Sequence, residues 1–180
     1  MKYFTIKPIT SGDFEILEKI DKSIFPLKSQ QTTFSKTQTS QNKICYVAHS
    51  LSKTETKRSI HPVGYITVLF TNIESEILSF AVAENYRGYG IGKGLIALTL
   101  KKLIASDCQS VFLEVRNSNK AAKGIYSKFG FSKIGVRPHY YSDNHEDAIL
   151  MSLHHIQNAG FLSFLQSTLD DLPYCHQAGN

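Results

Sequence analysis

Glu84-Asn85-Tyr86-Arg87-Gly88-Tyr89-Gly90-Ile91-Gly92-Lys93-Gly94 connects an apolar run of strand length, Ile77 to Ala83, to a segment of helical character from about Gly92 to Ala105. In that segment Leu95, Leu98, Leu103 and Ile104 offer packing positions. A strand, a Gly-rich turn and a helix in this order leave the backbone N–H groups of the first helical turn without helical partners. Glycines let the backbone approach a ligand closely, and the positive end of the helix dipole favours an anion. The turn therefore reads as a cradle for a diphosphate, the plain alternative being a flexible connection. Two familiar nucleotide-binding patterns do not fit. GxGxxG fails because Lys93 and Leu95 occupy its third-glycine positions in the two registers, and GxxxxGK[ST] fails at Arg87 and Gly94.

Outward on the C-terminal side, Val111-Phe112-Leu113-Glu114-Val115-Arg116 alternates as a strand, with Val111, Leu113 and Val115 on one face and Phe112, Glu114 and Arg116 on the other. A carboxylate at Glu114 is either solvated or kept for chemistry. Asn119 to Phe129 reads as a helix with Ala122, Ile125, Tyr126 and Phe129 on one stripe and Gly130 as its stop. Phe131 to Arg137 and Ala148 to Leu153 read as a closing pair of strands. On the N-terminal side, Met1 to Lys7 alternates as a strand. Thr10 or Ser11 caps a helix to about Ile24 that presents Phe14, Leu17, Ile20 and Ile24. Phe25-Pro26 ends it, and Leu27 to Asn42 is expected to be a loop with room for one short helix. Ile44 to His49 and Val63 to Phe70 are strand-like, joined by a polar segment ending at Pro62.

The 180 residues suit one α/β domain, and there is no internal repeat. No apolar run is long enough to cross a bilayer, and the N-terminus lacks a signal-peptide pattern, so a cytoplasmic location without membrane attachment is expected. Cys45, Cys108 and Cys175 form neither a disulfide framework nor a metal pattern, and the seven histidines are scattered. The net charge of +5 is spread among polar residues and brings no groove-reading helix or aromatic-basic motif, so no direct nucleic-acid binding is expected. The charge reads as a solvated surface, or as an attraction for an anionic cofactor or for ribosomes.

Arg87-x-x-Gly90-x-Gly92 resembles the Q/R-x-x-G-x-G/A motif of the GCN5-related N-acetyltransferases (GNAT), whose turn holds the pyrophosphate of coenzyme A. Leu113-Glu114-Val115-Arg116-Asn117-Ser118-Asn119, then Ala121-Ala122 and Gly124-Ile125-Tyr126-Ser127-Lys128-Phe129-Gly130-Phe131, resembles the second motif of the RimI-type ribosomal-protein N-alpha-acetyltransferases. Tyr140-Tyr141 and Glu146-Asp147-Ala148-Ile149-Leu150-Met151 resemble the same subgroup. The matching segments cover over a third of the chain in the right order. What the resemblance implies is a GNAT fold: a mixed, mostly antiparallel sheet flanked by helices, in which the parallel strands Ile77–Ala83 and Val111–Arg116 splay apart.

The resemblance further implies Glu114 as general base and Tyr126 as general acid. Phe80, Ala81 and Val82 would line the pantetheine arm through backbone hydrogen bonds, with the Val82 N–H polarising the acetyl carbonyl. Arg87, Gly88, Tyr89, Gly90, Ile91, Gly92 and Lys93 would hold the pyrophosphate, Asn119 would bond to CoA, and Tyr140 and Tyr141 would meet the acceptor. Each has a plain alternative: Tyr126 as a core tyrosine, Asn119 as a helix N-cap. The implied reaction is direct attack in a ternary complex on acetyl-CoA as co-substrate, with no metal. A covalent route through Cys108 lacks a basic partner. The implied acceptor is a protein N-terminus, a small-subunit ribosomal protein foremost. The rival classes are a small-amine or lysine acetyltransferase and a non-catalytic acetyl-CoA-binding regulator.

The sequence departs from the subgroup at Phe25-Pro26-Leu27, where RimI-type enzymes often carry Pro-Trp; there is no tryptophan. The acetyltransferase domain is expected over 1–153. In the extension, 154–180, Phe161, Leu162, Phe164, Leu165, Leu169 and Leu172 are expected to give a short amphipathic helix packed on the domain, followed by a mobile Gln177 to Asn180. A monomer or weak dimer is expected.

Overall fold

The computed structural model describes residues 3–25, 34–53, 58–71, 73–172 and 175–177. Strand β1 (Tyr3–Pro8) leads through a single 3-10 turn into helix α1 (Phe14–Ile24). The Asp13 carboxylate starts that helix by accepting the Thr10 N–H and hydroxyl, each at 2.8 Å. A short helix α2 (Phe34–Thr39) follows, then a long hairpin of β2 (Lys43–Lys53) and β3 (Arg58–Phe70), and β4 (Glu74–Val82). Helix α3 (Ile91–Ile104), β5 (Ser110–Arg116), α4 (Lys120–Lys128), β6 (Ser132–Tyr141) and β7 (Glu146–His154) come next. The chain closes with α5 (Ala159–Asp170) and β8 (Cys175–Gln177).

Among the described residues, the strands form one sheet of eight in the order β6-β7-β5-β4-β3-β2-β1-β8. Its ladders are antiparallel except for β4 with β5 and β1 with β8. Helices cover both faces. On one, α3, α4 and α5 pack over Ile66, Val68, Ile77, Val111, Leu113 and Met151. On the other, α1 and α2 send Leu17, Ile20 and Phe34 against Val47, Tyr65 and Ala81. The two apolar faces explain why β5 alternates so regularly: its odd residues are buried under α3, and its even residues are half-buried on the other face.

Three features differ from the sequence expectation. The β2–β3 hairpin runs well beyond His49, and Pro62 lies inside β3. A register shift there pairs His49 with Pro62 and Ala48 with Gly64, and such irregularities are where a strand tolerates a residue lacking an N–H. Gln177, expected to begin a mobile terminus, is the last residue of a strand paired with Ile6. Pro26 and Leu27, the point of departure from the RimI-type pattern, lie outside the described residues.

Candidate active site

The parallel pairing of β4 with β5 runs from Glu74↔Ser110 to Ile77↔Leu113 and stops there, although both strands continue. The cause lies on the other edge of β4. Thr67 of β3 pairs with Ser79 and Val68 with Ile77, so Leu78 is an inserted residue, a β-bulge. Thr71 donates to the Glu74 carbonyl before the bulge and Ala83 donates to the Val63 carbonyl after it. Alternation along an antiparallel ladder then turns the backbone groups of Ala81 and Ala83 toward β3. Those of Phe80 and Val82 face the gap between β4 and β5. Without the bulge the assignment would be reversed. Of the three residues expected to meet pantetheine through the backbone, Phe80 and Val82 turn their groups to the gap, and Ala81 turns its groups to β3.

The gap leads to the Gly-rich turn. Gly88 and Gly90 both have φ +83°, a conformation that glycine adopts without strain. Gly90 is the N-cap of α3 and has no side chain to cap the first-turn N–H groups. Arg87 ties the turn to the gap: its Nε donates to the Val82 carbonyl at 3.1 Å. The Ile91 side chain is buried in the core, so its share in a cradle would be its backbone, and Lys93 and Tyr89 are exposed at the rim. A Cβ on Gly92 would come to 3.0 Å from Phe80 Cζ, which makes glycine the residue that lets the turn close against β4.

Glu114 lies on the α1 face of β5, with its side chain 16% exposed, and its Oε1 is 2.6 Å from Arg137 Nη1. The Tyr140 phenol donates to Glu114, which pushes the Tyr140 pKa up. A cavity of about 330 Å³ opens beside them, lined by Leu69, Glu76, Glu114, Ile134, Arg137 and Leu150. Tyr126 occupies the opposite face, buried between the rings of Phe80 and Phe131 at 6.0 and 5.5 Å. Burial, reinforced by Tyr141, raises its pKa well above the ordinary phenol value. The two groups therefore flank the sheet at the splayed strands.

The rest of the motif residues brace this arrangement. Arg137 pairs with Ala148 and Tyr141 with Glu146, so Pro138, His139 and Tyr140 bulge out together against Asp147. Asp147 accepts the His139 N–H at 2.9 Å, with His139 at φ +53°. Arg116 stacks 3.8 Å over the Tyr141 ring and pairs with Asp143 at 2.8 Å and Glu146 at 3.4 Å. Burial raises the Tyr141 pKa to about 12. Glu146 accepts the Ser118 N–H, and its hydrogen bonds to Ser118, Asn144 and Arg116 hold its pKa at about 2. Asn119 is the N-cap of α4, its Oδ1 accepting the Ala122 N–H at 3.0 Å; any contact with CoA would fall to its amide nitrogen. The residue that sequence reasoning missed is Arg137. Its signal was a strand carboxylate in need of a partner, but the choice of cation requires the register of two further strands.

Residues 14–131 match the acetyltransferase (GNAT) family. The chain belongs to that family. The putative [ribosomal protein bS18]-alanine N-acetyltransferase of Bacillus subtilis is 36% identical over 91 residues, 51% of this chain and 60% of that protein. An N-alpha-acetyltransferase of Sulfurisphaera tokodaii is 41% identical over 80 residues, 44% of this chain and 47% of its own. The chain thus spans about half the length of these relatives. The crystal structure of Ard1 from Thermoplasma volcanium superposes with a TM-score of 0.70 at 27% identity, covering 84% of this chain and 97% of that one. Among the described residues, no group of three or more His, Cys, Asp or Glu is placed to hold a metal ion, and no helix is long and apolar enough to cross a membrane.

Proposed function

We propose that this GNAT protein transfers the acetyl group of acetyl-CoA to the N-terminal α-amine of a protein, with a small-subunit ribosomal protein as its natural acceptor and the cytoplasm as its location. One observation carries the reading. The bulge at Leu78 turns the Phe80 and Val82 backbone groups into a gap that ends on a glycine-capped helix N-terminus, with Glu114 on one face and Tyr126 on the other. The names of the relatives support the choice of an α-amine.

Acetyl-CoA supplies a thioester carbonyl that is already activated toward amines. The turn from Arg87 to Lys93 holds its pyrophosphate through first-turn N–H groups and positive charge. The Val82 N–H donates to the acetyl oxygen, where negative charge grows as the amine attacks. An α-ammonium, with a pKa of about 7.7–8.0, gives a proton to Glu114 directly or through water. The new N–C bond forms as the C–S bond breaks, and Tyr126 donates its phenolic proton to the leaving thiolate. Its raised pKa keeps it protonated until that moment. The second proton shed by the acylated nitrogen passes to water, from which Tyr126 is reprotonated. Attack is direct. Cys108 is fully buried at the start of β5, with its Sγ 3.2 Å from Ser75 Oγ, beside the paired end of β4 and not at the gap.

Mass spectrometry of peptides incubated with the protein and acetyl-CoA tests this reading. Acetate on the α-amine of Ala- or Ser-starting peptides is expected. Transfer only to lysine side chains or small amines would replace the acceptor class, and CoA binding without transfer to any amine would replace the enzyme by a regulator.

A further inference from the structure

Helix α5 and the residues after it form a clamp on α3, and Leu172 is the tooth of that clamp. Leu165 and Leu169 are buried, Phe164 meets the Phe129 ring at 5.7 Å, and Lys101 of α3 bonds to Gln166 at 2.5 Å. Just past the helix, the Leu172 N–H donates to the Leu169 carbonyl at 3.3 Å, which turns its side chain back under the first turn of α3. A Cβ on Gly90 would stand 2.5 Å from Leu172 Cδ2. A Cβ on Gly94 would stand 3.0 Å from Leu172 Cδ1 and 2.9 Å from Ile6 Cδ1. Gly90 and Gly94 thus leave a notch on one flank of the helix start, and Leu172 fills it above Ile6. Beyond Leu172, Cys175 to Gln177 pair with Phe4 to Ile6, so the tooth is anchored on both sides.

The turn this notch supports is costly to order. Two glycines at positive φ lose more conformational freedom than other residues would. A wedge against Gly90 and Gly94 restricts that freedom before a ligand arrives, and pre-organisation of a binding loop appears directly as affinity. We infer that Leu172 is a positioning residue for acetyl-CoA, holding the Gly88–Gly92 turn in the conformation that receives the pyrophosphate. The inference rests on the reading of that turn given above. It assigns a role to a residue beyond the segment matched by the family.

The test is the ratio of dissociation constants for CoA, by calorimetry, and pantetheine, by competition, in the full chain. Pantetheine lacks the pyrophosphate. Leu172→Ala should weaken CoA about tenfold, the change expected if the turn is competent about a tenth of the time without its wedge, and should leave pantetheine unchanged. Leu172→Met should restore the ratio. Leu17→Ala, in the core on the opposite face, supplies a destabilised chain with an intact wedge, and its ratio should not move. If Leu172→Ala fails to fold, Leu172→Val reads the same ratio with a smaller shift in the same direction. Arg87→Ala reports on the turn itself. A ratio that moves with Arg87→Ala but not with the Leu172 variants overturns the role of Leu172 and keeps the cradle. A ratio unmoved by Arg87→Ala overturns both, and an equal shift in Leu17→Ala reduces the effect to general instability.

Discussion

Glu114 and Tyr126 differ in the way their surroundings prepare them. Glu114 keeps partial access to water and to the 330 Å³ cavity, whereas Tyr126 is sealed among aromatic rings. Under the proposed reaction, Glu114→Gln should lower turnover by roughly 10²–10⁴-fold, the usual contribution of a positioned general base. It should leave CoA affinity nearly intact; steady-state kinetics with calorimetry checks both, and unchanged turnover removes Glu114 from its role. Tyr126→Phe keeps the ring packing, so thermal unfolding should barely move while turnover falls; an unaltered rate would leave Tyr126 as a core residue. Glu146 belongs to stability. Its folded pKa of about 2 lies below the ordinary 4.5, so its contribution is present above about pH 4.5 and is lost as pH falls toward 2. The melting-temperature gap between the wild-type chain and Glu146→Gln should accordingly be full near neutrality and close over that acid range.

At the scale of elements, the insertion of Leu78 decides what β4 can do. Tyr65 pins the bulge from beneath, bonding to Asp21 and, at 2.8 Å, to Ser79. Tyr65→Phe should cost about 1–3 kcal/mol in urea unfolding by stranding buried polar partners. Sequence reasoning placed β5, α3 and α4 to within a residue or two because their apolar spacing and glycine stops are local signals. The Gly-rich turn was legible for the same reason. The bulge was not, because Glu74 to Val82 carries no glycine or proline to mark it and alternation of burial continues through it. The Glu114–Arg137 pair was equally hidden, since Gly135, Leu150 and Glu114 align only once β6, β7 and β5 are in register.

Across the whole molecule, the residues that would carry chemistry come from strands and helices joined in the middle of the chain, and the first and last described strands meet at the far edge of the sheet, where β8 pairs with β1. That three-residue pairing had no readable pattern in the sequence because a partner strand, and not periodicity, defines it. The resting state of the site has its own consequence. Arg137 already occupies Glu114 at 2.6 Å, with more than half of its side chain in solvent. A protonated acceptor entering under the proposed reaction would therefore meet a carboxylate that is already neutralised, and its arrival would amount to cation exchange: a guanidinium swings out to water as an ammonium takes its place. The site would hold the same net charge before and after, and selectivity would lie in which cation the carboxylate prefers.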